Sequence, residues 1–264
     1  MPFRLGMPHL NATGVSLNWL FRECCHRHWW AVAERAGTVP SDVVDLAGDR
    51  VLPSVVCAVS AGRPGEFAED DLVDLRPVIR PAPETGWRSE TVLTSTSGGH
   101  LVVELITRFV KQKDGDSATL VPADMPAEFD VKPGAAKARR ASLLLAAGRT
   151  ALEEADDQPP PPHLSFAICP ETDMNGVGQM YFANFIDVFG RAERNAIPPM
   201  IAKMSMLSRE VHYFETADAG ETIDVHSEVS LLRLGQASRI QTVSYARRTS
   251  DEKIVAICRT TRET

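Results

Sequence analysis

The chain has 264 residues, with 28 basic and 35 acidic side chains and a formal net charge of −7. Its length accommodates one large domain or two of ordinary size, and 44% of its residues are hydrophobic, as in ordinary globular proteins. The acidic balance argues against a nucleic-acid partner and against binding to an anionic membrane surface. No apolar run reaches the ~20 residues of a bilayer-spanning helix, and the first residues lack the apolar stretch of a secretory signal.

The cysteines indicate in which cellular compartment the protein lies and whether it binds a metal. The five cysteines are Cys24, Cys25, Cys57, Cys169 and Cys258. Their odd number, with no preceding signal, predicts reduced thiols in a cytoplasmic protein. No pair has the spacing of metal ligands, so neither a metal nor another cofactor is predicted. The adjacent pair Cys24 and Cys25 is interpreted as inert core on a helix.

The first part of the chain predicts one helix followed by several strands. From Gly14 to Gly37, apolar residues recur at helical spacing, and Gly37 followed by Pro40 is a typical stop. Residues 51–59, 72–80, 87–96 and 100–113 then form strand-like runs. Between the last two runs, Ser97, Gly98 and Gly99 form a turn of the kind that joins hairpin strands.

The middle of the chain has a different composition. Residues 135–157 are rich in alanine, leucine and arginine and indicate a connecting helix, and four prolines at 159–162 form a stiff spacer. We therefore predict an N-terminal domain over residues 1–112, a linker over 113–162 and a C-terminal domain over 163–264.

The first pattern then returns. A short strand at 163–169, a turn at 175–178 and a helix at 179–195 precede strand-like runs at 204–214, 222–234, 238–247 and 253–262. One helix cannot cover both faces of four or five strands, but two such units can join their sheets. The predicted fold is α+β, with two long central helices packed on a continuous antiparallel β-sheet.

An alignment of the two halves supports this repeat. Placing Asn11 on Asn175 aligns four further pairs: Gly14 with Gly178, Phe21 with Phe185, Glu23 with Asp187, and Arg27 with Arg191. These matches concentrate where a strand gives way to a helix.

Several motifs resemble known families. Residues 172–182, TDMNGVGQMYF, resemble the loop before the helix of hot-dog thioesterases, and REVHYF at 209–214 with GETIDV at 220–225 resembles their next strand pair. MPHL at 7–10, GVSLNWL at 14–20 and HW at 28–29 resemble a double hot-dog family of polyketide biosynthesis. Its best-known type is the leinamycin-pathway acyltransferase/decarboxylase. The resemblance implies a double hot-dog fold and an acyl thioester of coenzyme A or of an acyl carrier protein as the partner.

That family transfers and decarboxylates the acyl group of methylmalonyl-CoA through a tyrosine early in the strand after the first helix. Here the region reads DRVLPS at 49–54, and Leu52 stands at the expected position. Leucine has no nucleophilic oxygen. The resemblance therefore implies the thioester substrate, while Leu52 argues against the family's transfer reaction.

Each helix start is a candidate binding site for a thioester carbonyl. Free backbone N–H groups at a helix N-terminus stabilise an oxyanion, and glycine permits close approach. The candidate oxyanion or substrate-binding residues are Gly14, Val15, Gly176, Val177, Gly178 and Tyr181. The glycines equally suit a simple turn, and Tyr181 equally suits the core.

Polar side chains beside the helix starts are the candidate acid/base groups. They are His9 and Asn11 before the first helix, Asp173 and Asn175 before the second, and Glu23 on the first helix. Each has a structural interpretation as well, since Asp173 suits a cap and Glu23 suits a solvated face. We expect one pocket between the halves, in which His9, Asn11, Asp173 and Asn175 meet.

These observations predict a polyketide-pathway enzyme that acts on an acyl thioester by dehydration or isomerisation, hydrolysis or cyclisation. Two alternatives stay open: methylmalonyl-CoA acyltransfer with decarboxylation, and a non-catalytic acyl-binding or scaffold protein of the same fold. A homodimer is compatible with the sequence.

Overall fold

The structure is a computed structural model that describes residues 2–82, 86–113, 116–126, 129, 135–155, 159–197, 204–234 and 237–263. The elements of the first half are β1 (Phe3–Arg4), β2 (Leu10–Asn11), β3 (Gly14–Val15), α1 (Leu17–Arg35), β4 (Leu52–Gly62), β5 (Leu72–Ala82), β6 (Gly86–Ser95) and β7 (His100–Lys113). Next come β8 (Asp116–Pro122) and α2 (Ala135–Glu153). The second half contributes β9 (Leu164–Ala167), α3 (Pro170–Asp173), α4 (Asn184–Ala196), β10 (Ser205–Tyr213), β11 (Thr222–Leu234), β12 (Ala237–Arg248) and β13 (Ile254–Glu263).

Eleven of the described strands form one antiparallel sheet. Its order is β1-β5-β6-β7-β4-β10-β13-β12-β11-β9, with β8 paired to β7. The two halves of the sheet mirror each other. Counted inward from its edge, each strand of the first half has a counterpart at the same position in the second half. The halves join in the middle through β4 and β10, where Val59 pairs with Glu210 and Cys57 with His212. Two hot-dog units therefore share one continuous sheet, as the sequence predicts.

Helices α1 and α4 pack on the same face of this sheet, which we call the inner face. Helix α1 begins at an N-cap residue, Ser16. The Ser16 side chain accepts a hydrogen bond from the Trp19 backbone N–H at 3.4 Å, and the helix ends before Gly37, whose φ is +69°. Leu20, Phe21 and Cys24 on its inner side are fully buried. Residues 14–15, predicted to be helical, form strand β3 instead.

Helix α4 packs on the same face and starts later than predicted. The pattern places its first residue at Gln179, whereas α4 begins at Asn184 and has 13 residues. Residues 179–183 form a loop instead, because the Tyr181 backbone N–H donates to the Asp173 carbonyl and Met180 pairs with Met174.

The connecting helix predicted at 135–157 is helix α2, so the described chain has a third long helix besides the two predicted as central. Helix α2 has 19 residues, as many as α1, and packs on the opposite face of the sheet. There Ala141 and Leu144 contact a cluster that includes Val56, Cys57 and Val59 of β4. The linker predicted at 113–162 therefore contains β8 and this helix, while the domain boundaries remain a prediction. None of the helices in the described ranges is long and apolar enough to cross a bilayer.

Candidate functional site

Two of the cavities in the described part of the chain lie against the paired inner helices, one beside each helix start. The first, of about 880 Å³, lies beside the start of α1 and is also lined by the later part of α4. The second, of about 620 Å³, lies beside the start of α4 and is also lined by the middle of α1. Each cavity therefore receives residues from both halves, as expected for pseudo-twofold packing.

A polar network crosses from α1 to α4. The Asn18 amide donates to the Asp187 carboxylate at 2.6 Å and to Asn184 Oδ1 at 3.2 Å. Arg22 donates through Nε to Asn18 Oδ1 at 2.8 Å and through Nη2 to Asn184 Oδ1. This network was not predicted from the sequence, although Asn18 and Arg22 have the i,i+4 spacing that places two side chains on one helix face.

The second cavity is lined by apolar side chains from both halves and by polar groups of the loop before α4. Its apolar lining residues include Leu52, Val55, Val110, Leu120, Met180, Phe182 and Phe185. The polar groups belong to Asn175, Gly176, Val177 and Tyr181 of that loop. Two exposed arginines, Arg50 and Arg108, also line the cavity. Such a surface suits a ligand with an apolar chain and a polar head.

Asn175 organises the loop before α4. Its side-chain Oδ1 accepts hydrogen bonds from the backbone N–H groups of Val177 at 3.0 Å and Gln179 at 3.1 Å. Gly178 has φ +78°, a conformation that glycine adopts readily. Within the described residues, the backbone N–H groups of Gly176 and Phe182 have no hydrogen-bond acceptor. Both residues line the second cavity, so both N–H groups are candidate donors to a ligand carbonyl.

Tyr181 and Cys25 form a protonated pair on the wall of this cavity. The two side chains come from different halves, line the same cavity and lie close enough for each to affect the pKa of the other. Burial raises the pKa of the Cys25 thiol to about 12 and raises that of the Tyr181 phenol well above its ordinary value. The Arg22 guanidinium lies 4.9 Å from the centre of the Tyr181 ring. At neutral pH this pair offers hydrogen-bond donors and no thiolate nucleophile.

Asp173 supports the loop from outside the cavity. Its carboxylate accepts a hydrogen bond from the Cys169 backbone N–H at 2.9 Å and thereby caps the short helix α3. Its carbonyl accepts hydrogen bonds from the Tyr181 N–H at 2.8 Å and the Asn184 amide at 3.0 Å. These contacts give Asp173 a structural position behind the loop.

The polar residues before α1 are also held in local structure. His9 Nδ1 accepts a hydrogen bond from the Gly6 N–H at 2.8 Å, and its ring packs 4.7 Å from the Trp19 ring, outside both cavities. Asn11 lines the first cavity, where its Oδ1 accepts hydrogen bonds from the N–H and hydroxyl groups of Thr13 at 2.8 and 2.7 Å.

The remaining predicted residues of the first half lie as follows. Gly14 has φ +107°, and a Cβ there would lie 2.0 Å from the Pro64 carbonyl oxygen. Val15 is buried and lines the first cavity. The Glu23 carboxylate lies 2.7 Å from Arg27 Nε and lines neither cavity.

The four polar residues expected to meet in one pocket are therefore separate. Asn11 lines the first cavity, Asn175 lines the second, and His9 and Asp173 line neither. The reason is the pseudo-twofold arrangement, which places the two helix starts at opposite ends of the α1–α4 pair. Within the described chain, no group of three His, Cys, Asp or Glu residues could hold a metal ion.

Comparison with known proteins finds similarity in structure alone. No family model and no curated sequence matches this chain. A Lactobacillus plantarum protein assigned as an oleoyl thioesterase aligns over 100% of this chain and 95% of its own, with a TM-score of 0.69 and 12% identity. The 12:0-acyl-carrier-protein thioesterase of Umbellularia californica aligns over 100% and 92%, with a TM-score of 0.65 and 10% identity. An acyl-carrier-protein thioesterase of Bacteroides thetaiotaomicron aligns over 100% and 96%, with a TM-score of 0.64 and 8% identity. At these identities the likeness shows a shared fold.

Proposed function

We propose that this protein is an acyl-thioester-processing enzyme whose substrate binds in the second cavity, and that the reaction is hydrolysis. The observation that carries the proposal is the composition of that cavity. Apolar side chains suited to an acyl chain line it beside Gly176, Phe182 and Tyr181, which together offer two unpaired backbone N–H groups and one protonated hydroxyl.

The chemistry follows from these donors. As water adds to the thioester carbonyl, negative charge develops on the oxygen, and preorganised N–H and O–H donors stabilise that charge. The carbon–sulfur bond then breaks, releasing a carboxylic acid and a thiol. His26 and Glu215 line the same cavity and are the side chains we propose to accept the proton of the attacking water.

The thiol carrier is proposed to be coenzyme A or an acyl carrier protein. Both present a phosphate on the pantetheine arm, and Arg50 and Arg108 are exposed among the lining residues to bind it. The names of the three structural relatives favour hydrolysis over dehydration, isomerisation and cyclisation. The proposed polyketide context comes from the motifs at residues 7–10, 14–20 and 28–29.

Tyr181→Phe tests the proposal. Removing the hydroxyl should lower kcat for hydrolysis of acyl-CoA substrates by about 10²-fold, the usual effect of losing one oxyanion donor. Thiol release, followed with a thiol-reactive dye on a panel of chain lengths, measures the rate. Tyr245→Phe is the matched control, because Tyr245 lies on β12 and lines neither cavity. Equal activity of the Tyr181→Phe variant and the wild type would remove Tyr181 from the mechanism.

A non-catalytic acyl-binding protein is the second candidate, and Leu52 favours it. Leu52 lines the second cavity, and it stands where the resemblance to the polyketide family implies the acyl-carrying tyrosine. If the wild type binds acyl-CoA by calorimetry but releases no thiol and no altered acyl product by mass spectrometry, the binding function stands. An acyl adduct on the intact chain after incubation with methylmalonyl-CoA would instead support acyltransfer through another residue.

A further inference from the structure

The first cavity concentrates positive charge in an otherwise acidic protein. Its lining includes five arginines, namely Arg63, Arg191, Arg194, Arg209 and Arg262. Three carboxylates, those of Glu66, Asp187 and Glu193, line the same cavity. Since the whole chain carries a net charge of −7, this excess of guanidinium groups is a local feature and not a consequence of composition.

Two of these arginines, Arg209 and Arg262, belong to a buried hydrogen-bond network around Glu193. The Glu193 carboxylate, 1% exposed, accepts hydrogen bonds at 2.6 Å from each of Arg209 Nη2, Arg262 Nη2 and Thr260 Oγ1. Arg209 also donates to the Ile186 carbonyl at 3.1 Å. Because two guanidinium groups share one carboxylate, this side of the cavity keeps a net positive charge.

Two further arginines are unpaired. Arg191 and Arg194 are exposed, and within the described residues neither forms a hydrogen bond or an ion pair. Their i,i+3 spacing on α4 places them on neighbouring positions of one helix face. Two guanidinium forks side by side match the oxygen atoms of a phosphate group.

The same cavity also carries a carboxylate on α4. Asp187 lies four residues before Arg191 and seven before Arg194, or about 6 and about 10 Å along the helix axis. Its carboxylate repels an anion but accepts hydrogen bonds from hydroxyl or amino groups. The Asn18 amide, at 2.6 Å, holds that carboxylate in place. A ligand complementary to both features carries a phosphate for the two arginines and, about 6–10 Å away, hydroxyl or amino donors for Asp187.

We propose that the first cavity is a second ligand site for a phosphorylated nucleoside, with phosphate on Arg191 and Arg194 and the nucleoside hydroxyl or amino groups on Asp187. The site is separate from the second cavity, so it stands whether or not the chain hydrolyses thioesters. Its volume of about 880 Å³ lies in the range of small-molecule pockets.

Calorimetric titration of the full chain with ADP, inorganic phosphate and malonate tests the site. ADP should bind more tightly than either small anion, and its affinity should fall with added salt. The double variant Arg191→Gln/Arg194→Gln should weaken ADP binding by about tenfold or more, because it removes two charge-assisted contacts. Asp187→Asn should weaken binding of ADP but not of phosphate.

Two controls separate this site from the rest of the protein. Arg76→Gln removes an arginine whose side chain is 75% exposed on β5 and should leave ADP binding unchanged. Tyr181→Phe, which tests the proposed hydrolysis, should also leave it unchanged. Absence of ADP binding, or equal binding by the double arginine variant, would overturn the proposal. Malonate binding as tightly as ADP would overturn the phosphate class, and phosphate binding as tightly as ADP would overturn the nucleoside part.

Discussion

At the residue scale, the buried side chain of His28 makes the stability of the folded protein depend on pH. Its side chain is fully buried, Nε2 lies 2.9 Å from Thr107 Oγ1, and burial lowers its pKa to about 4. Between pH 6.5 and 4 the unfolded chain binds a proton at His28 that the folded chain does not, so stability falls as pH falls. The loss over this window is at most about 3 kcal/mol.

His28→Leu should flatten this part of the stability profile. Urea unfolding at several pH values between 7 and 4 measures the free energy, and the difference between wild type and variant isolates the contribution of His28. Thr107 keeps a partner in the variant, because its hydroxyl also donates to the Trp87 carbonyl. His100→Gln, at an exposed position on β7, should leave the profile unchanged. Parallel profiles for wild type and His28→Leu would refute the assignment.

Gly14 provides a second prediction at this scale, with Gly98 as its matched control. Both have positive φ, +107° and +101°, so alanine at either position incurs the same kind of backbone strain, about 1–2 kcal/mol. A Cβ at Gly14 also meets the Pro64 carbonyl, whereas at Gly98 it meets open space. Gly14→Ala should therefore lower the free energy of unfolding by clearly more than Gly98→Ala. Equal losses in urea unfolding would show that Pro64 can move away.

At the element scale, Gly148 determines how closely helix α2 lies on the outer face of the sheet. A Cβ at Gly148 would lie 2.5 Å from Nδ1 of His212, whose Nε2 is bound to Glu210 at 2.8 Å. Alanine should gain about 1 kcal/mol of helix propensity, but overpacking costs about 1–3 kcal/mol, so we expect net destabilisation. Thermal unfolding checks this, with Ser142→Ala at an exposed position of α2 as control. A more stable Gly148→Ala variant would mean that the helix can shift outward.

At the scale of the whole molecule, the continuous sheet should make the two halves unfold together. All four tryptophans, Trp19, Trp29, Trp30 and Trp87, lie in the first half, so their fluorescence reports on that half alone. The β4–β10 pairing joins the halves through a buried ladder that includes Ala58 and Val211. We expect the urea transitions from tryptophan fluorescence and from far-UV circular dichroism to coincide.

A substitution in the second half tests more directly whether the two halves unfold together. Val211→Ala removes two buried methyl groups from β10 and should lower the tryptophan midpoint as much as the circular dichroism midpoint, although no tryptophan lies in that half. A tryptophan transition unaffected by Val211→Ala would show that the halves unfold independently.

Much of the fold could be predicted from local sequence patterns. Alternating apolar residues predict strands 100–113 and 222–234 with the observed bounds of β7 and β11, and helical spacing predicts α1 to within three residues at either end. These elements follow from local pattern because burial of one face repeats every two or every 3.6 residues. Strand β8 lies in the segment interpreted as a linker, and its pairing with β7 is a tertiary contact.

The candidate sites could be predicted from the sequence only in part. The motif at 172–182 predicts a loop beside a helix start, and Asn175, Gly176, Val177 and Tyr181 do line one cavity. The contact between Tyr181 and Cys25, and the separation of the two helix starts, depend on how the halves pack, because these residues are far apart in the chain. Residue pattern specifies which face of each element is buried, but only the joining of β4 to β10 decides which buried faces meet.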